Sequence, residues 1–200
     1  MSRFLKGEVG QGTIELALVF ALVVLPLTMM LLEAGYLFSQ AMTVNTATRE
    51  GARMGGNQAN GGGPLGCGGG QSPNAANVDP QIVAAVERSL TANGALISLP
   101  DVTQIRIWKA TATGTETAGA VNVWSYSLNG GPIIDGQALD FVQTSNTWNA
   151  CSRVNTLPAD SIGVSLRYTY RARTPLRFIF PGLATINISD QTVMTLNATQ

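Results

Sequence analysis

Residues 13–54 read TIELALVFALVVLPLTMMLLEAGYLFSQAMTVNTATREGARM, and this stretch decides the architecture. Its core, Leu16 to Leu32, is 17 residues without a charge. At ~1.5 Å per residue such a run spans roughly 26 Å, close to the thickness of a bilayer's hydrocarbon core. Extended from Ile14 through Phe38, the segment is long enough to cross a membrane, with Glu15 and Glu33 as its interruptions. A cleavable secretory signal has a shorter apolar region followed by small residues, so the expectation is a retained transmembrane helix. Beyond the span, Leu37, Ala41, Val44, Thr48 and Ala52 recur at spacings of four and three, which continues the helix to about Met54. Pro26 either kinks the span or is simply tolerated in it.

Working outward, the composition is that of an extracytoplasmic protein. The 200 residues hold 12 Lys+Arg against 12 Asp+Glu, so no global charge points to nucleic acid. Charged residues are 12 % of the chain, about half the usual share for soluble domains. Histidine is absent, which removes Ser-His-Asp and Cys-His nucleophiles, HExxH zinc sites and imidazole acid/base chemistry. The scattered acids form no catalytic motif. Neither an enzyme nor a resident cofactor or metal is expected.

After the helix comes GGNQANGGGPLGCGGGQSPN, read as a flexible linker over residues 55–78. It contains a literal G-x-G-x-x-G at Gly61, Gly63 and Gly66, without the preceding strand and following helix that a dinucleotide site requires. Residues 79–200 are expected to form an α+β domain with an antiparallel sheet. Asp79 as N-cap, Pro80 at the first helical position and Asn93-Gly94 at the end predict a second helix, with Ile82, Val83, Val86 and Leu90 on its apolar face. Strands are predicted around Ile105 and Ile107, around Val121 and Val123, and in SIGVSLRYTYRAR. In the last of these, Ile162, Val164, Leu166, Tyr168 and Tyr170 share one face. The tail ATINISDQTVMTLNA reads as a further strand or pair, and residues 129–160 as mostly loop. Cys67 and Cys151 belong to no CxxC pair and leave two readings, a disulfide or two unrelated thiols. The disulfide is the expectation because both lie beyond the span.

Glu15 lies five positions after Gly10 at the mouth of the apolar helix, with Arg3 and Lys6 before it. This arrangement resembles a type IV prepilin signal. The resemblance implies that a prepilin peptidase cuts between Gly10 and Gln11 on the cytoplasmic side, making residues 1–10 a leader and leaving the helix in place from Gln11. It also implies that Glu15 faces the new terminal amine of a neighbouring subunit. A carboxylate in lipid is tolerable when it finds such a cation.

The longer stretch resembles the N-terminal region of TadE-like proteins, minor pseudopilins of tight-adherence (Flp) pilus systems. It does so through Gly10, Glu15, the apolar run with Pro26, Tyr36 and Phe38, and the motif Arg49, Glu50, Gly51, Ala52, Arg53. That implies a single-pass protein of the bacterial cell membrane, N-terminus cytoplasmic and C-terminal domain outside. Its partners would be a prepilin peptidase, other pilin or pseudopilin subunits, the pilus assembly platform and membrane lipid. The glycine-rich loop and a final strand without Arg or Glu depart from the family pattern. The alternative is a signal-anchored binding or adhesion module outside pili, with Trp108, Trp124 or Trp148 as contacts, although tryptophans in such strands belong to cores more often. Arg49 and Arg53 could clamp a carboxylate or lipid phosphate, or simply flank a packed helix end. Arg167, Arg171, Arg173 and Arg177 pose the same choice between a solvated face and anionic headgroups.

Overall fold

A computed structural model describes residues 8–57, 75–92, 94–154 and 157–196. The linker glycines Gly61, Gly63 and Gly66 and the cysteine Cys67 lie outside them. The described chain is α+β, with a long N-terminal helix, a second helix and an antiparallel sheet. Contacts divide it into two compact units, Met1–Phe38 with Arg171–Ile186, and Ser39–Tyr170 with Asn187–Gln200.

The N-terminal helix starts earlier than its periodicity suggests. Helix α1 covers Glu8–Val19, a π-turn covers Phe20–Val24, and α2 continues over Leu25–Asn57. Pro26 accounts for the π-turn. It has no N–H to offer the carbonyl four residues back, and its ring crowds that carbonyl. The backbone widens to a five-residue step, so that the Leu25 N–H donates to the Phe20 carbonyl.

In the larger unit, α3 spans Ala75–Thr91 and β1 to β7 cover Val102–Ala110, Glu116–Tyr126, Ile133–Ile134, Gln137–Ala138, Phe141–Asn146, Ser161–Arg171 and Thr185–Thr195. The main sheet has the order β5-β2-β1-β6-β7, and β3-β4 form a separate two-stranded ribbon. Strand β6 buries Ile162, Val164, Leu166, Tyr168 and Tyr170, as its alternation predicts. These meet Ile82, Val83, Val86 and Leu90 of α3 and Val44, Ala47 and Ala52 of α2 in the buried core. Trp108 is also buried, on the opposite sheet face, where its indole lies over Gly163. A Cβ at Gly163 would stand within 2.4 Å of that ring.

The expected start of α3 needs correction. Asp79 does not cap α3, which begins at Ala75 and has Pro80 inside it. Asp79 is instead buried and paired with the fully buried Arg153 at 2.6 Å. Its other carboxylate oxygen accepts from the Asn122 amide. Asn122 and Trp124 therefore form the inward face of β2, while Val121 and Val123 stay half exposed. Residues 129–160 are mostly outside regular structure, as expected, with the short strands β3, β4 and β5 set among them. Of the two readings of the tail, the single strand holds, as β7.

Candidate membrane and assembly site

Of the expected processing residues, Gly10 and Gln11 lie within α1, and Glu15 follows one turn on, exposed. Gly12–Asn57 is long and apolar enough to cross a membrane, and none of its most apolar stretch is buried. Leu16, Leu18, Phe20, Leu22, Leu27, Leu31 and Leu32 are all exposed. Helices that place large aliphatic side chains all round match a hydrocarbon solvent rather than water. This one long apolar helix suggests a single-pass membrane anchor.

The motif Arg49 to Arg53 falls in the other unit and splits into two halves by function. Gly51 and Ala52 are buried, while Arg49 and Arg53 are exposed. A Cβ at Gly51 would stand 2.6 Å from Val86 Cγ2 and 3.2 Å from Val164 Cγ1, so α2 touches both α3 and β6 there. Gly55, one turn later, would meet Ile162 Cδ1 at 2.7 Å. The small residues exist for close approach, which fits the motif as the flank of a packed helix end. Arg53 pairs with Glu50 at 2.8 Å on the surface, which contributes little to stability. Glu50 and Arg53 line an open groove of about 460 Å³ with Arg88 and Ser89 of α3.

Two residues that sequence reading passed over fix the helix. Gln40, buried, accepts from the Tyr168 hydroxyl and donates to the Leu96 carbonyl at 3.1 Å. Glu33, read only as an interruption of the apolar run, accepts the backbone N–H groups of Arg173 and Thr174 at 3.1 and 2.9 Å. Glu33, Arg173 and Thr174 belong to the smaller unit, and Gln40, Leu96 and Tyr168 to the larger. No local sequence pattern marks a bond across 140 residues, although a lone carboxylate at the end of a span asks for a donor.

The four arginines of the C-terminal cluster separate. Arg167 lines a polar cleft of about 500 Å³ with Arg106, Glu116 and Asp190, where Arg106 is paired with Glu116 at 2.7 Å. Arg171, Arg173 and Arg177 lie in the smaller unit. Trp108, Trp124 and Trp148 are all at most 4 % exposed and are core residues. Arg153 stacks on the Trp148 ring at 4.3 Å and closes the buried cluster with Asp79 and Asn122. Cys151 follows directly on Trp148, Asn149 and Ala150, in the short 3₁₀ turn Ala150–Ser152. Its expected partner Cys67 lies outside the described residues.

Residues 10–53 match the family model described as TadE-like protein. Comparison with curated proteins and with solved structures gives no match. The matched segment holds Gly10, Glu15, the apolar run and the Arg49–Arg53 motif, and it ends where α2 is packed between α3 and β6.

Proposed function

Taking the TadE-like match of residues 10–53 as premise, we propose that this chain is a membrane-anchored pseudopilin. A family match on an apolar N-terminal helix is consistent with a Tad pilus-associated membrane protein. In the proposal, a prepilin peptidase cuts after Gly10 and the helix from Gln11 stays in the membrane. The subunit then joins the assembly of Flp pili for surface adhesion without itself catalysing a reaction. The N-terminus faces the cytoplasm and the domain lies outside, where Cys67 and Cys151 can be bridged.

One observation carries the reading. The family match contains the only part of the described chain whose large apolar side chains are exposed on every side. The adhesion-module alternative is weakened because the tryptophans it would use are buried.

Glu15 supplies the test. If it meets a neighbour's terminal ammonium in lipid, a pair ~4 Å apart is worth a few kcal/mol at an intermediate dielectric, more than tenfold in association. Glu15→Gln should then insert and still be cut after Gly10, which intact mass would verify. It should fail to co-purify with pilin partners or to support piliation. Normal piliation at normal protein level would remove Glu15 from the mechanism. Retention of residues 1–10 in a host with a prepilin peptidase would remove the proposal itself.

A further inference from the structure

Strands β6 and β7 are joined by a segment unlike the sheet's tight β1–β2 connection. Between β1 and β2 the chain turns through Thr111, Ala112, Thr113, Gly114 and Thr115, small and mostly polar, with Gly114 at φ 76°. Between β6 and β7 it reads ARTPLRFIFPGLA from Ala172 to Ala184, with five large apolar residues, two arginines and no acid. The base of this loop is closed by the Ala172 N–H donating to the Ala184 carbonyl at 3.0 Å. Inside it, helix α4 is a single turn, Leu176–Ile179. A loop facing water gains nothing from that composition. Yet Phe178 is 74 % exposed and Phe180 43 %. Arg177 is exposed too, its guanidinium 5.0 Å from the Phe178 ring centroid.

Glu33 says where along the helix this loop is held. It is the first charge after the charge-free run, and its two oxygens take the N–H groups of Arg173 and Thr174. The residues from Pro26 to Leu37 that are partly covered are Pro26, Met29, Glu33, Tyr36 and Leu37. Their spacing of three and four places them on one helix face, the face of Glu33. Pro26 lies seven residues deeper in the apolar run than Glu33, ~10 Å along the axis. The covered face therefore crosses the boundary where the run meets its first charge.

We infer that the Ala172–Ala184 loop is a second membrane contact, its aromatic residues entering the outer interface of the lipid in which the helix is embedded and its arginines facing anionic headgroups. Arginine and aromatic side chains at the end of a span are the composition of the bilayer interface. Basic side chains near an anionic surface contribute about 1 kcal/mol each. Glu33 then has a defined task. It satisfies two backbone donors that would otherwise face an apolar medium, and in return loses its own isolation as a carboxylate at the membrane edge. The inference rests on the membrane-span part of the proposed function, and on neither processing nor piliation.

The test uses the full-length protein reconstituted in phosphatidylcholine vesicles, with and without phosphatidylglycerol. A photo-crosslinking phenylalanine analogue replaces Phe178, Leu22 or Leu128 in turn. Leu22 lies in the charge-free run and Leu128 in a turn of the other unit, both 67 % exposed. After irradiation, mass spectrometry should find lipid adducts at positions 22 and 178 and none at 128. Adding phosphatidylglycerol should raise the yield at 178, and Arg177→Gln should cancel that rise, up to about fivefold. Glu33→Ala should lower the yield at 178 while leaving that at 22 intact. Adducts at 22 without adducts at 178 would overturn the loop contact and leave the span standing. No adducts at either position would overturn both.

Discussion

Gly35 and Gly51 stand on the same helix and face opposite physical demands. A Cβ at Gly35 would meet nothing within 4 Å, whereas one at Gly51 would press on Val86 and Val164. The contrast extends to their neighbourhoods. Up to Phe38 the helix carries large exposed side chains, Leu27, Leu31, Leu32 and Phe38 among them. From Gln40 onward it buries small ones, Ala47, Thr48, Gly51, Ala52, Gly55 and Gly56. One half is suited to a solvent of hydrocarbon, where the side chains need only be apolar. The other half is suited to a packed core, where volume is rationed and each methyl group is felt. A single helix can serve both because the helical backbone satisfies its own hydrogen bonds in either medium.

The sharpest way to break this comparison is at Gly51. Gly51→Leu should destabilise the domain by about 3 kcal/mol or more, beyond ordinary overpacking, because even its Cβ has no room. Denaturant unfolding followed by the buried tryptophans would read the loss. A midpoint equal to that of the unaltered protein would mean that α2 does not pack where it is described. The border between the halves is probed by Tyr168→Phe. It leaves the buried Gln40 carbonyl oxygen without its hydroxyl donor, at a cost of about 1–3 kcal/mol. The same denaturant curve should shift accordingly, and no shift would move the border further along the helix. Gly35→Ala is the counterpart in the exposed half. It should leave the domain's unfolding midpoint unchanged and favour the helix by up to about 1 kcal/mol, and a loss of domain stability would erase the contrast.

The smallest expected effect concerns pH and belongs to the domain half. Burial is the largest influence on Glu87 and raises its carboxyl above the ordinary 4.5, offset in part by the Asp140 N–H it accepts and reinforced by the Asp140 charge. The folded state thus holds this proton more tightly than the unfolded one. Stability should fall as pH rises from about the unfolded value through the folded one, and stay lowered above it. Glu87→Gln should flatten that slope, as thermal melts across the acid range would register; a slope that steepens would contradict the sign.

How much of this was legible in the sequence depended on whether the signal was local. The charge-free run and the alternation of β6 are local patterns, and both yield the right element. Asp79-Pro80 is also a local pattern, and it misleads. The aspartate that resembles an N-cap is drawn inside by Arg153, 74 positions away in sequence, and α3 extends past it to Ala75. Strand β5 is short and carries polar Gln143, Thr144 and Ser145, so only its pairing with β2 makes it a strand. The Asp135-Gly136 turn of the β3–β4 ribbon had a usable signal, since both residues take positive φ as a two-residue hairpin requires. Of the site, the motif's small residues were readable as packing. Glu33's role was not, because its partners are backbone groups that no side-chain pattern announces.

The notch at Gly163 also acts as a proofreader of the sheet. A strand displaced by one residue exposes its apolar face and is rejected by water. Displacement by two is more dangerous, because it keeps the apolar face inside. Here it would bring Ser161 or Ser165 against Trp108 in place of Gly163, its partner in the present register. Their Cβ atoms would occupy the space the indole needs. Gly163 is the sole glycine of β6, so only one face-preserving alignment of β1 on β6 admits the ring. The sheet thereby carries its own test of alignment.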